Sequence, residues 1–348
     1  MIPTVAREAA VGVSFSTPTH LPFSCASLAS RLISLESDDV SLFSDFFVAF
    51  GGHEPTHGEP PDDEFLRIAV EAPGPDRSGR LRLWHNGTPM PIDRFFFGLT
   101  LPDCPYVRLP SPDPNVTTIA FRGHQQPQFV YSGTECEVLD STIWRPAIIA
   151  LVLRGFLSLC TEAIFFHASS IGIDSKGFFF VGTQHSGKST LALALASRGH
   201  EFLSDDIGCY IPAEHVMLPY RRPVGIREGP CAAAISEALR TRAYRSIRQD
   251  DSIRVDPSAL LDLSAERPIP VSGVVFLRGF GRNPILRRIE AGREELSAFQ
   301  TLYSSLTNAP PAQRLLELIR LTSRARMFEL VIGNPDETAL YVEEVLSS

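Results

Sequence analysis

The sequence has no closely paired cysteines, no excess of positive charge and no apolar run long enough to span a bilayer, and each lack removes a class of function. Its six cysteines, Cys25, Cys104, Cys136, Cys160, Cys209 and Cys231, are scattered without a CxxC spacing. That pattern fits isolated reduced thiols better than a zinc knot or a disulfide scaffold. Lysine and arginine number 32 against 40 aspartates and glutamates, a formal charge of −8. A nonspecific nucleic-acid scaffold needs the opposite balance, so no nucleic-acid partner is expected. The N-terminal residues lack a basic start followed by an apolar stretch, and the longer apolar runs are short or broken. No membrane partner is expected, and the cytoplasm is the expected compartment. Asn115-Val116-Thr117 has the form of a glycosylation triplet, which without secretion reads as chance.

What remains is an ordinary folded composition: 348 residues, 44% hydrophobic and 21% charged, enough to bury a large core and to form one or two domains. The stretch from Gly51 to Pro60 is rich in Gly, Pro and His and reads as an exposed connection. Phe65–Val70, Arg80–Trp84 and Val116–Phe121 read as strands, which makes the first 145 residues a strand-rich, antiparallel region. The texture changes near residue 145. Ala147–Cys160 reads as a buried helix, Ala163–Ile173 as a strand with His167 near its middle, and Gly177–Val181 as a second strand. Thr190–Arg198 follows as a helix with Leu191, Ala194 and Leu195 on one face and Gly199 to stop it. Glu201–Ser204, Val271–Leu277 and Met327–Ile332 read as strands, and Pro311–Leu321 and Asp336–Leu346 as helices, the last capped near Asn334. The expected organisation is α/β, with a catalytic domain over 146–348 preceded by a separate strand-rich domain over 1–145.

Between the second strand and its helix lies Gly182-Thr183-Gln184-His185-Ser186-Gly187-Lys188-Ser189, the pattern GxxxxGKS in the strand, loop and helix setting that a phosphate-binding loop requires. The two glycines allow tight turns that expose successive amides to phosphate oxygens. Lys188 can reach the β- and γ-phosphates, Ser189 can offer a hydroxyl to magnesium, and the helix start adds a favourable field. An ordinary turn with a solvent-facing lysine is the plainer alternative, and the complete pattern disfavours it. Downstream, Asp205-Asp206 sits at a strand end, where one carboxylate can bind magnesium and the other can orient or deprotonate a hydroxyl.

Taken together, Phe166-His167, the segment Gly182 to Thr190, and Arg198-Gly199-His200-Glu201-Phe202-Leu203-Ser204-Asp205-Asp206 resemble the bacterial HPr kinase/phosphorylase family and the related serine kinases of peptide maturation. The specific resemblance covers about 40 residues, and a weaker one extends over 146 to 346. It implies a phosphoenolpyruvate-carboxykinase-type nucleotide-binding fold, ATP and Mg2+ as cofactors, and a serine hydroxyl on a peptide or small protein as acceptor, with natural-product maturation as one setting. It also implies Asp205 as general base, His167 as a proton relay with Asp205, Asp206 and Ser189 on magnesium, and Lys188 on phosphate. A homo-oligomer is compatible with the resemblance. Two departures stand out. Thr190 occupies a position that is commonly Glu, and Gln184-His185 is unusual inside the loop. The first argues against carrying over the reverse, phosphorylase activity. The first 145 residues match no regulatory domain of that family.

Other residues keep two readings. His167 is flanked by Ile164, Phe165, Phe166 and Ala168, so a hydrogen-bonded core histidine competes with a catalytic one. His185 reads as a loop residue and His200 as a support for the turn after the helix. Arg221-Arg222-Pro223-Val224-Gly225-Ile226-Arg227 reads as a phosphate- or substrate-contacting loop in which Arg227 is favoured, against a plain exposed basic loop. A kinase of free serine-like alcohols and a nucleotide-dependent regulatory module without transfer are the competing functions.

Overall fold

The computed structural model describes residues 21–29, 31–52, 55–57, 59, 61–94, 106–227, 246–249, 252–259, 261, 267–290, 292–303 and 311–347. The chain is α/β, with a strand-rich N-terminal region and mixed sheets. The N-terminal strands are β1 (Phe23–Leu28), β2 (Arg31–Ser37), β3 (Leu66–Glu71), β4 (Gly79–His85), β5 (Thr88–Pro89), β6 (Tyr106–Leu109), β7 (Thr117–Phe121), β8 (Phe129–Ser132) and β9 (Glu135–Val138). They form one sheet in the order β1-β2-β3-β4-β9-β8-β7-β6, with β5 on β4. All described pairings are antiparallel except β2 with β3. That exception follows from the intervening helix α1 (Val40–Phe50), which returns the chain in the same direction. Asp39 caps α1 by accepting from the Ser41 amide at 2.8 Å. Phe43, Phe46 and Phe50 then turn inward.

Helix α2 (Trp144–Leu159) is apolar along most of its length and buries Ile148, Leu151, Val152 and Phe156 in the same cluster as the N-terminal sheet. Tyr106 fixes it by donating from its hydroxyl to the Ala147 carbonyl at 2.7 Å. The cluster also takes in Phe165, Cys209 and Tyr220. Cys25, Cys136, Cys160 and Cys209 are free and buried, as isolated thiols should be. Cys104 and Cys231 lie outside the described residues.

The second sheet contains β10 (Ile164–Phe166), β11 (Ala168–Ile173), β12 (Lys176–Val181), β13 (Glu201–Ser204), β14 (Gly208–Ile211) and β15 (Val216–Leu218). A small separate sheet of β16 (Val224–Arg227), β17 (Ser246–Gln249) and β18 (Ser252–Val255) follows, and then β19 (Ile269–Phe280), β20 (Ile285–Ile289) and β21 (Arg326–Ile332) return to the second sheet. Its order is β10-β14-β15-β19-β12-β11-β13, with β21 on the other edge of β19 and β20 beyond it. The run Phe178-Phe179-Phe180 explains why β12 is central. Alternate side chains leave a strand on opposite faces, and here both faces are covered. Phe178 and Phe180 join Leu191 and Leu195 of α3 (Lys188–Ser197) and Ala339 and Val342 of the last helix. Phe179 and Val181 join Phe166, Phe299, Leu318 and Leu321 on the opposite side. Each fully buried side chain of this size contributes roughly 1.5–3 kcal/mol. Among the described residues, the covering helices after α3 are α4 (Arg293–Tyr303), α5 (Pro311–Arg324) and α6 (Pro335–Ser347). Asn334 starts α6 by accepting from the Asp336 amide at 3.0 Å, the cap expected from the sequence.

One expected strand is divided. Ala163–Ile173 splits into β10 and β11, and the chain bends at His167. Before the bend it pairs with β14, and after it with β12 and β13. Among the described residues no helix is long and apolar enough to cross a membrane.

Candidate active site

The sheet's strand directions bring the site together. β12, β19 and β21 are parallel neighbours, and β13 runs with β12 because both are antiparallel to β11. The carboxyl ends of four strands therefore share one edge, the place where open α/β sheets leave a crevice for ligands. Ala168 pairs with Val181 and Ser170 with Ser204. This register sets His167 opposite Gly182 and puts Asp205-Asp206 beside both.

The turn from Gly182 to Gly187 joins β12 to α3, and its glycines answer to crowding at the first and to backbone at the second. A Cβ on Gly182 would run into the Ser186 side chain, with Ser186 Cβ at 3.0 Å and Leu277 Cβ at 3.1 Å. Gly187 has φ +92° and serves as the N-cap of α3, with no side chain capping the helix. The first-turn amides of α3 thus have no side-chain cap among the described residues, which is the condition for anion binding. Ser186 is 7% exposed, and its Oγ has no hydrogen-bond partner among the described residues. Thr183, Gln184 and His185 are exposed, and His185 adopts φ 65°, in keeping with a loop-tip role.

Lys188 is folded into this turn. Its Nζ donates to the Gly182 and Thr183 carbonyls, each at 2.9 Å, and the residue is 7% exposed. Burial pulls the ammonium below the ordinary lysine range, while Asp206 and Asp205 oppose that change. Two carbonyl acceptors hold the cation where phosphate oxygens would compete for it.

The two aspartates differ sharply. Asp205 is 8% exposed, and its carboxylate accepts from Ser189 and from Ser169 Oγ at 3.3 Å. Ser169 also donates to the Asp205 carbonyl, and Ser170 pairs with Ser204 beneath it. Burial raises the Asp205 pKa, the Ser189 and Ser169 hydroxyls and the Arg254 charge oppose the rise, and Asp206 adds to it. Asp206 keeps a 51% exposed side chain, with Oδ1 3.1 Å from His167 Nδ1 and Oδ2 3.9 Å from Arg222 Nη1. Burial works against its ionisation, but His167, Arg222 and Lys188 outweigh it and hold the carboxyl at about 2. The expected partnership of His167 with Asp205 is therefore replaced by one with Asp206. The physical reason is the bend at His167, which directs the ring to the outer carboxylate while Ser169, two residues later, takes the inner one.

Arg222 reaches Asp206 and also donates from Nε to the Ala49 carbonyl at the end of α1. Arg221 Nε donates to the Phe202 carbonyl at 3.1 Å. Arg227 ends β16, and its side chain lies outside the described residues. Thr190 is half-buried in the first turn of α3. His200 lies 3.6 Å from Glu343 of α6, which also binds Arg198 at 2.6 Å. Sequence reasoning missed Ser169 and Arg254, both brought in by strand pairing from distant positions with no local motif to mark them.

In metal-free protein, Asp205→Asn should raise the melting temperature near neutral pH, on the order of 1 kcal/mol or about 2 °C. The ionised form is what burial penalises, so the cost is absent below the unfolded value of 3.8 and full above the raised folded pKa. The gap between variant and wild type should close as pH falls, and a variant that melts lower at neutral pH would contradict it. His167→Gln removes the strongest group favouring ionised Asp206, so that carboxyl should titrate closer to 3.8 than to about 2. The linked stability, fully present above 3.8 and lost as pH falls through about 2, should shrink with it. Carboxyl-carbon NMR across the acid range measures the shift, and an unmoved Asp206 signal would remove His167 from this role.

No protein-family model matches the chain, and no curated protein matches it in sequence. Among solved structures, the HPr(Ser) kinase/phosphatase from Coxiella burnetii is similar at 16% identity, with 53% of this chain and 93% of that chain covered and a TM-score of 0.25. A likeness at that level is distant and carries no weight for the chemistry of this chain.

Proposed function

We propose that this chain is an ATP- and Mg2+-dependent serine kinase acting on a peptide or small protein, with natural-product maturation as a setting. The nucleotide-binding part would be a phosphoenolpyruvate-carboxykinase-type domain over 146–348, and residues 1–145 would contribute to acceptor recognition. The observation that carries this reading is the convergence, at one sheet edge, of an uncapped helix start, a buried lysine and two aspartates in different environments.

The residues suit the implied groups. Gly182 to Thr190 offer backbone amides and Lys188 a cation to a triphosphate. Ser186 Oγ, which has no hydrogen-bond partner among the described residues, lies inside the same turn. Ser189 with Asp205 is an all-oxygen pair, and two protein oxygens suffice for magnesium, which retains waters and phosphate oxygens. Bound magnesium would neutralise charge on the phosphates during transfer.

The roles of the aspartates reverse the sequence expectation. Asp205 is tied to Ser189 and withdrawn from solvent, so we assign it to the metal side. Asp206 is open to an incoming hydroxyl and backed by His167, so we assign it to the acceptor. A carboxylate held at about 2 is a weak proton acceptor, and its work is to orient the hydroxyl and receive the proton late, as a loose phosphoryl-transfer transition state requires. His167 can then carry that proton outward. Arg222 adds positive charge at the same carboxylate and, through Ala49, ties the site to the N-terminal region. Ala29 adds a second tie, its amide donating to the Pro219 carbonyl at 3.0 Å. Acceptor-dependent ADP release tests the reading: stimulation by serine-containing peptides above that by free serine supports it. Nucleotide binding with no stimulation by any acceptor would favour a regulatory module instead.

A further inference from the structure

The mechanism leaves one conspicuous side chain unused. Phe280 is 67% exposed at the end of β19, although Phe276 and Leu277 of the same strand are buried. The cause is local. The pairing of β19 with β21 shifts register between Leu277 and Phe280, and Gly279 within that interval has φ +118°. Such a bulge bends a strand and re-aims the side chain that follows. Pairing then resumes, with Phe280 opposite Ile332 and the Gly281 amide donating to the Ile332 carbonyl at 2.8 Å.

The ring does not point into empty space. A Cβ built on Gly187 would lie 3.4 Å from Phe280 Cε1 and 3.5 Å from Cζ. One edge of the ring therefore borders the N-cap of α3, and most of the rest faces outward. The sheet order supplies the direction. Asp205 and Asp206 follow β13, on the β11 side of β12, whereas Phe280 ends β19 on the opposite side. A phosphate chain lying along Gly182 to Lys188 with its terminal group toward the aspartates must direct its other end to the β19 side, where Phe280 stands.

We infer that Phe280 is the stacking surface for the base of a purine nucleoside triphosphate bound at this edge. This rests on the nucleotide reading given above and extends it to the part of the ligand that the loop does not touch. Stacking engages the flat face that every base has, so the site reads the presence of a base more than its identity. ATP and GTP should bind within a few-fold of one another.

Calorimetry on the full chain with magnesium tests this, using ATP and inorganic tripolyphosphate as ligands. Tripolyphosphate carries the phosphates without a base. Phe280→Ala should weaken ATP roughly tenfold or more while leaving tripolyphosphate within about twofold. Phe280→Leu keeps apolar bulk against Gly187 but no aromatic face and should behave like the alanine variant, whereas Phe280→Trp should retain ATP affinity. Unchanged ATP affinity in F280A, or an equal loss for ATP and tripolyphosphate, would overturn the inference while leaving the phosphate site intact. Wild-type protein that binds neither ligand, or a Lys188→Ala variant that binds both normally, would instead overturn the nucleotide reading itself, and this inference with it.

Discussion

Lys188→Ala should abolish detectable binding of ATP and of tripolyphosphate and lower phosphoryl transfer by roughly 10²–10³-fold. The variant removes the buried cation at the loop but keeps Gly182, Gly187 and the start of α3. Its folding cost should be small, because the two carbonyls that Lys188 holds can turn to solvent. Partial desolvation makes the cation more effective, since a charge already removed from water gives up less hydration when phosphate arrives. Circular dichroism establishes that the variant is folded and calorimetry reads the binding. A folded K188A protein with wild-type affinity and turnover would place the nucleotide elsewhere.

The second large effect separates the aspartates. Asp206→Asn keeps the shape that faces His167 and Arg222 but loses the anion, so transfer should fall on the order of 10²–10⁴-fold while magnesium-ATP affinity stays within several-fold. Asp205→Asn should weaken magnesium binding instead, with transfer partly restored by excess metal, because metal occupancy is a concentration-linked equilibrium. Product formation across a magnesium series for both variants gives the comparison. Metal rescue of D206N alone, beside a D205N variant that loses transfer at unchanged ATP affinity, would return Asp205 to the role of base.

Much of this site is legible in the sequence because its parts are contiguous. Gly182 to Ser189 lie between a triple-phenylalanine strand and an alanine- and leucine-rich helix, and each signal is local enough to be read directly. The Asn334 cap and the stop at Gly199 are legible for the same reason. What escapes is set by register. Nothing near His167 in the chain signals that the strand would divide there, since the division comes from β14 pairing on one side of it and β12 and β13 on the other. The partnership of His167 with Asp206 follows from that bend. Ser169 and Arg254 reach Asp205 across 36 and 49 residues of sequence, distances over which hydrophobic periodicity carries no information. In the N-terminal region, β1, β2 and α1 mix apolar and polar residues so closely that neither a two-residue nor a 3.6-residue period dominates, and packing settles their form. Phe280 reads in sequence as one more apolar strand residue, and its exposure comes from the bulge at Gly279.

On the proposed reading, this edge transfers a phosphoryl group to a serine hydroxyl. The most direct measurement incubates the full chain with γ-labelled ATP, magnesium and a library of serine-containing peptides, and follows the label into product. Label should appear in phosphoserine, formed by wild-type protein and lost in D206N and K188A. Label released only as inorganic phosphate, or absent from every peptide while magnesium-ATP binds normally, would contradict it.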